Sequence, residues 1–371
     1  MKELGRLLNR KTILLILAAA CICVVAVFAG DFSDCGIDNY KIKVREYNWL
    51  INGHTDEQIQ QHADELAQDD RRSSTALLFK RLAKEYKEKS DYIDGYTESV
   101  KAVITNASNM KKFSVFGTSE SIANINKTEN DYKRIENVQV RELNSRAVEQ
   151  FLKNDISIYV VLALMIYIIY NIYEYRDNGM WQIIYTAVNG RIRLAVKDTA
   201  AVGLGALFVS LIMQLCGLVS MLVVYGGWDF LIAPVQCLTG YNNFTYPISV
   251  MTYLFIRYMI ISLIVIAIVL VISLVFALCR KRISSIVLVG IIAGAEAFAY
   301  QNISMQGRLR IFKKINIINV MDVSNILRKY DNIMIAGVPV SMVNVLCMVC
   351  IIIAVISAIF LASVREEVLA L

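Results

Sequence analysis

The chain has 371 residues, 56% of them hydrophobic, with a formal net charge of +6. Charged residues make up only 19%, against about a quarter in soluble domains, and mean hydropathy is +0.50. Several runs approach the roughly 20 apolar residues that cross a bilayer as a helix, which excludes a soluble globular protein. The basic excess flanks these runs, so it gives no argument for nucleic acid.

The chain opens with Lys2, Arg6, Arg10 and Lys11, then the apolar run TILLILAAACICVVAVFAG at 12–30. Signal peptides and membrane anchors share this pattern, and the small residues before Gly30 would suit a signal peptidase. The run is long enough to span, so residues 1–30 are expected to form a tail and an uncleaved first span. Either reading leaves residue 31 outside the cell.

Residues 31–155 are polar and slightly acidic, with 19 Lys+Arg against 22 Asp+Glu. TDEQIQQHADELAQ begins like a capped helix with early acids. STALLFKRLAKEYKEKSDYI sets Leu77, Leu78, Leu82 and Tyr86 at helical spacing. A helical extracellular domain is expected, serving either substrate capture or exit, or only as a prop for the membrane part. The only histidines, His54 and His62, lie here without a metal-ligand pattern and are read as surface residues.

Further spans are expected at 156–172, 199–227, 251–279, 283–300 and 340–364, making residues 156–371 the transmembrane domain. With the N-terminus inside, the inner pieces 1–11, 173–198, 280–282 and 365–371 carry 4, 4, 3 and 1 Lys+Arg, and the outer loop 228–250 carries none. That agrees with the positive-inside rule. Loop 301–339 does not agree, because Arg308, Arg310, Lys313, Lys314, Arg328 and Lys329 would lie outside. Two readings follow: six spans with both ends inside, which is favoured, or 283–300 as a non-spanning hairpin with that loop inside. The loop is itself partly apolar and would suit interfacial helices whose Lys and Arg stems snorkel.

Between spans two and three lies EYRDNGMWQIIYTAVNGRIRLAVKD, residues 174–198. Asn189-Gly190 is a strong turn signal. Before it, Met180, Ile183, Ile184 and Ala187 share one helical face, flanked by Trp181. After it, Arg191, Arg193 and Lys197 begin the helix that becomes span three. A short amphipathic helix held by a span can dock in a groove on a partner, or lie on anionic headgroups. Spacing alone does not choose.

Within the spans, Arg257 and Glu296 are the charges. Intramembrane ionisable groups usually face protein or water. At about 1.5 Å per residue the two sit at different depths, so Arg257 is expected to snorkel outward and Glu296 to line the inside of the bundle. Gly290 and Gly294 form a GxxxG suited to close helix packing, within the subunit or between subunits. Of the eight cysteines, most fall in apolar runs as small packing residues, and Cys35 and Cys237 would both face outward.

The stretch after span two has an acid, a glycine, a short apolar helix, Gly-Arg and a later lysine: Glu174, Gly179, Gly190, Arg191 and Lys197. Together with six spans, inside termini and an exterior domain between spans one and two, this resembles the permease subunits of ABC-2-type transporters. The segment YDNIMIAGVPVS at 330–341 looks like that of Gram-positive members. The chain departs from many members in having Gly179-Met180 for Gly-Thr, and Ala187-Val188 where they have a proline before the arginine. The resemblance implies an ABC-2-type permease fold in a bacterial plasma membrane, paired with a second permease subunit as homo- or heterodimer. It implies a coupling helix at about 174–190 that binds separate ABC ATPase subunits. Glu174 and Gly179 would shape its elbow, Met180, Trp181 and Ile184 would dock, and Gly190 and Arg191 would fix the turn. The exported substrate would be a peptide, an antibiotic or a lipid-like molecule.

Independently, no Gly-Lys dipeptide occurs, so the chain has no GxxxxGK phosphate loop. No catalytic residue, metal or cofactor is expected in it, and ATP-Mg would sit on the partner. The alternative class is a membrane sensor or scaffold whose extracellular domain binds a ligand without transport.

Overall fold

The computed structural model describes residues 10–35, 39–68, 73–113, 119–174, 190–279, 281–303 and 310–367. Apolar runs uninterrupted by proline set its long helices: α1 (Arg10–Cys35), α8 (Gly190–Tyr225), α9 (Val250–Leu278), α10 (Arg282–Asn302) and α14 (Met342–Glu367). Each contains a stretch long and apolar enough to cross a membrane, which makes five by length and composition among the described residues. The expected second span is shorter. It is α7 (Ser157–Ile172), whose 16 residues rise about 24 Å, less than a roughly 30 Å hydrocarbon core. Joined to α6 (Arg146–Asn154) it passes the same test, but the two helices bend by 47°. The chain is therefore a helical multi-pass membrane protein, and among the described residues the one further candidate for a span is this bent pair.

α9 is the centre of the bundle and packs against α7, α8, α10 and α14. Of its most apolar window 61% is buried, against 6% for α10, which places α10 at the periphery. The core is aliphatic: Val161, Met165 and Ile169 of α7, Ala206 and Met213 of α8, Val265 and Val269 of α9. Ser249 caps α9 by accepting from the Thr252 N–H at 3.2 Å, satisfying one of the free donors of a helix start.

Beyond one end of the bundle sit α2 (Tyr40–Ile51), α3 (Asp56–Gln68), the 41-residue α4 (Ser73–Phe113) and α5 (Ser119–Lys133). Leu50, Leu66, Phe79 and Leu82 join Phe151 of α6 and Tyr225 of α8 in a second core. Tyr40 and Tyr47 meet Tyr225 edge-on, at 6.1 and 6.2 Å between ring centres. Tyr96, Val100, Tyr132 and Ile135 close a third cluster between α4 and α5. His54 and His62 stack on Trp49, and His62 bonds Glu46 at 2.9 Å, so they brace this unit.

The segment after α10 corrects one expectation. It carries three short helices, α11 (Arg310–Ile315), α12 (Ile317–Met321) and α13 (Val323–Arg328), and then a β-hairpin of β1 (Asn332–Ile335) and β2 (Val338–Ser341). The strands pair antiparallel with Ile335 opposite Val338. Ala336 and Gly337 have φ of 50° and 81°, the two left-handed residues of a tight hairpin turn. Among the described residues the secondary structure is thus helical apart from this hairpin and an isolated Pro234–Ser249 bridge. Tyr330 donates to Asp131 at 2.9 Å and Lys127 to Asn332 at 3.1 Å, so the hairpin lies on the same side of the bundle as α2–α5, named the exterior unit only for their place outside the bundle. α10 is one continuous helix of 21 residues, long and apolar enough to cross a membrane, and not the alternative hairpin.

Candidate functional site

The sharpest chemistry among the described residues is a buried polar joint where the exterior helices meet the bundle. The helix breaks at Asp155-Ile156, between α6 and α7, and Asp155 does two jobs there. Its Oδ1 accepts from the Ser157 N–H at 2.8 Å, filling an open donor at the start of α7. Its Oδ2 accepts from Arg257 Nη2 at 2.7 Å. The two side chains are 4% and 5% exposed.

Arg257 lies about two turns into α9. It also donates from Nε to Ser324 Oγ of α13 at 2.9 Å and from Nη1 to Gln214 Oε1 of α8 at 3.4 Å. Its guanidinium stands 5.3 Å from the centre of the Phe151 ring. One planar cation with several fixed donors thus ties four segments, which a lysine with a single nitrogen would not do. The expectation that Arg257 snorkels outward is corrected. Its carboxylate partner comes from the α6–α7 break, so the buried guanidinium is not left as an uncompensated charge.

On the helices that carry this pair and its partner Gln214, several polar groups find no partner among the described residues. Gln214 Nε2 and the hydroxyls of Ser157, Ser210 and Ser262 are buried and unsatisfied. Ser210 is one turn from Gln214 on α8, hence on the same face. An unpaired buried polar group costs on the order of 1–3 kcal/mol. Such a seam is where water or a polar ligand group would be held, or where the helices separate when the bundle changes shape.

A second set of bonds ties the exterior unit to the loop between α8 and α9. Lys89 donates to the Leu143 carbonyl at 2.5 Å and to Ser145 Oγ at 2.7 Å. Its burial pushes the ammonium pKa below its usual value. Ser145 donates in turn to Glu149 at 2.8 Å, and Glu149 accepts from Thr239 Oγ1 at 3.2 Å. Gln236, fully buried, donates from its side-chain amide to the Phe244 and Tyr246 carbonyls at 2.9 Å each, while its main-chain carbonyl accepts from Tyr92 at 3.1 Å. Cys237 beside it is a free, buried thiol.

The other expected residues fall elsewhere. Glu296 does not meet Arg257. It is half-buried, and its carboxylate accepts from Asn316 at 2.6 Å, so it holds α12 to α10 rather than lining the bundle interior. Gly290 and Gly294 have no atom within 4 Å of where a side chain would start, so their face is bare in the single chain. Glu174 is exposed just past α7, Gly190 opens α8, and Arg191 follows in its first turn. Gly179, Met180, Trp181 and Ile184 lie outside the described residues. Arg282 stacks on Tyr170 at 4.3 Å, so the end of α7 and the start of α10 share the end of the bundle remote from the exterior unit.

Asp155 and Gln214 escape a reading by composition. Asp155 stands one residue ahead of an apolar run and looks like the last residue of the polar domain. The usable signal is pairing: a lone arginine near the outer end of one span calls for an acid near the outer end of another. No cluster of metal-ligating residues occurs among the described residues. No family model matches the chain, and no curated protein or solved structure matches it either.

Proposed function

We propose that the chain is the permease subunit of an ABC-2-type exporter in a bacterial plasma membrane, with both termini on the cytoplasmic side. The observation that carries this reading is the two-ended layout. A helical unit is locked to one end of the bundle by Asp155–Arg257 and Lys89, while the segment between α7 and α8 leaves from the other end. α8 has 36 residues and rises about 54 Å, well beyond a roughly 30 Å hydrocarbon core. It can therefore carry motion from a partner on the far side to the exterior unit as a rigid rod.

In this reading Met180, Trp181 and Ile184 dock on a separate ABC ATPase, Glu174 and Gly179 shape the elbow, and Gly190 and Arg191 set the return into α8. ATP-Mg is bound and hydrolysed by that partner, and this chain holds no cofactor. The bare Gly290–Gly294 face on the peripheral α10 suits close packing with a second permease subunit. The substrate is a peptide, an antibiotic or a lipid-like molecule. A cleft on the exterior side also favours a second reading, a sensor whose exterior unit binds a ligand without transport.

The test is co-purification from the native host, comparing wild type with a Met180→Asp, Ile184→Asp double variant. The permease reading expects an ATPase with wild type and none with an equally abundant, folded variant. Absence of any ATPase from both would overturn it and leave the sensor reading.

A further inference from the structure

Two clefts open where the exterior unit meets the bundle. The smaller, about 410 Å³, is walled by Ile93 and Thr97 of α4 and by the run 136–141, and among the described residues none that lines it belongs to a membrane-crossing helix. The larger, about 570 Å³, has the size of small-molecule sites, roughly 300–1,000 Å³, and is built differently. Arg141 and Leu143 line it together with Asp229, Ile232, Pro247 and Ser249, so it reaches the cap of α9. The loop side of this cleft is fixed. The Val235 N–H donates to the Ile248 carbonyl at 3.0 Å, and the Val250 N–H to the Ala233 carbonyl at 2.8 Å.

The larger cleft sits at headgroup depth. α9 has 29 residues and rises about 43 Å, longer than a roughly 30 Å hydrocarbon core, so its ends reach the headgroup layers. From the cleft's edge at Ser249, the exposed Met251, Phe255 and Met259 recur every four residues down one face of α9. Trp228 and Tyr246 are exposed on the loop between α8 and α9, as aromatic side chains are at a membrane–water interface. Ile232 on the cleft wall is 80% exposed, an apolar side chain left bare by the chain's own packing. The cleft also carries two opposite charges. The exposed Arg141 guanidinium meets a neutral group, Gln139 Oε1, at 3.0 Å. Asp229 is exposed too, and neither charge has an ion-pair partner among the described residues.

We propose that the larger cleft binds one phospholipid with an amine-bearing headgroup, taken from the leaflet on that side of the bundle. Its phosphate meets Arg141, whose planar guanidinium offers paired donors to phosphate oxygens. Its ammonium meets Asp229. Its acyl chains cover Ile232 and run beside Met251 and Phe255. A soluble anion would use Arg141 alone and leave the apolar wall bare. An anionic lipid would cover the wall but set its net charge against Asp229. The amine-bearing phospholipid answers both charges and the apolar surface at one depth. The inference concerns binding and does not rest on the permease reading, since a sensor would present the same cleft to the same leaflet.

The test uses the full chain in dodecylmaltoside, titrated with phosphatidylethanolamine carrying dibrominated chains, which quench tryptophan on contact. The quenching lost in Trp228→Phe belongs to this cleft. The proposal expects that part to saturate, with a single retained lipid per chain by native mass spectrometry. Unbrominated phosphatidylethanolamine should compete about fivefold better than phosphatidylglycerol, which lacks the ammonium, and better still than diacylglycerol, which lacks the phosphate too; exposed charge pairs are worth about that much. Asp229→Asn should erase the preference over phosphatidylglycerol, and Arg141→Gln should shrink the preference over diacylglycerol. Glycerophosphoethanolamine, the headgroup without chains, should not compete at the same concentration. Quenching that rises with lipid and never saturates marks an ordinary lipid annulus and overturns the proposal. So does competition by the bare headgroup as strong as by the whole lipid, or a set of preferences that neither substitution changes.

Discussion

Arg257 and Asp155 set the terms at the scale of single residues. Taking two charges out of water is costly, and removing one leaves the other buried and unpaired, a loss of about 3–5 kcal/mol. Arg257→Leu or Asp155→Asn should therefore lower the thermal midpoint of the detergent-solubilised protein sharply. The double change Asp155→Leu, Arg257→Met should recover most of the loss, because well-packed apolar residues can replace a buried pair. If the single changes leave the midpoint where it was, the joint carries no stability. Glu129 makes a second prediction. Hydrogen bonds from Lys111 at 2.7 Å and Lys133 at 2.6 Å hold its carboxyl down from 4.5 to about 2. A carboxyl depressed on folding stabilises above its ordinary value and loses that contribution as pH falls toward the lowered one. The packing of Tyr96 and Tyr132 between α4 and α5 should loosen between pH 4.5 and 2, followed by tyrosine fluorescence, and Glu129→Gln should flatten that step. Little of this was legible in sequence. An arginine inside an apolar run reads as a snorkelling charge until its partner is known, and the partner lies 102 residues away.

At the scale of elements, helices were easy to read and their joints were not. The apolar run at 251–279 became α9, Val250–Leu278, because no proline or glycine interrupts it. The 47° break before α7 is invisible to hydropathy, which sees only the apolar run that follows it. The hairpin at 332–341 was likewise unread, because its turn, Ala336-Gly337, has alanine where asparagine or aspartate is usual. Between α8 and the outer loop, Gly227 has φ of 83°, and a Cβ there would run into the Asn144 carbonyl. Asn144 in turn donates to the Tyr225 carbonyl at 2.8 Å, so this point fastens the end of α8 to the run that precedes α6. Gly227→Ala should cost at least about 1–2 kcal/mol from the left-handed backbone alone. It should therefore unfold the outer cap at a lower temperature than wild type. An unchanged melting curve would mean that this junction is free to shift.

The molecule as a whole has two chemically different ends. One holds the exterior helices, the hairpin and both clefts; the other holds the basic helix starts at Gly190 and Arg282 and the exit of α7. Composition announced the membrane class at once, and the distribution of lysine and arginine suggested which end faces the cytoplasm. The placement of 323–341 could not be read this way, because Arg328 serves a local purpose, donating to the Gly240 carbonyl at 2.9 Å. Sidedness is the claim on which the coupling role of 174–190 depends. It is tested by single cysteines at Lys84, Lys329, Glu174 and Val196, each exposed, in a background with the eight native cysteines replaced by alanine. A membrane-impermeant maleimide applied to intact cells should label Lys84→Cys and Lys329→Cys, and should reach Glu174→Cys and Val196→Cys only after permeabilisation. Labelling of all four from outside, or of Lys84→Cys and Glu174→Cys together, would place both ends on one face and contradict the account.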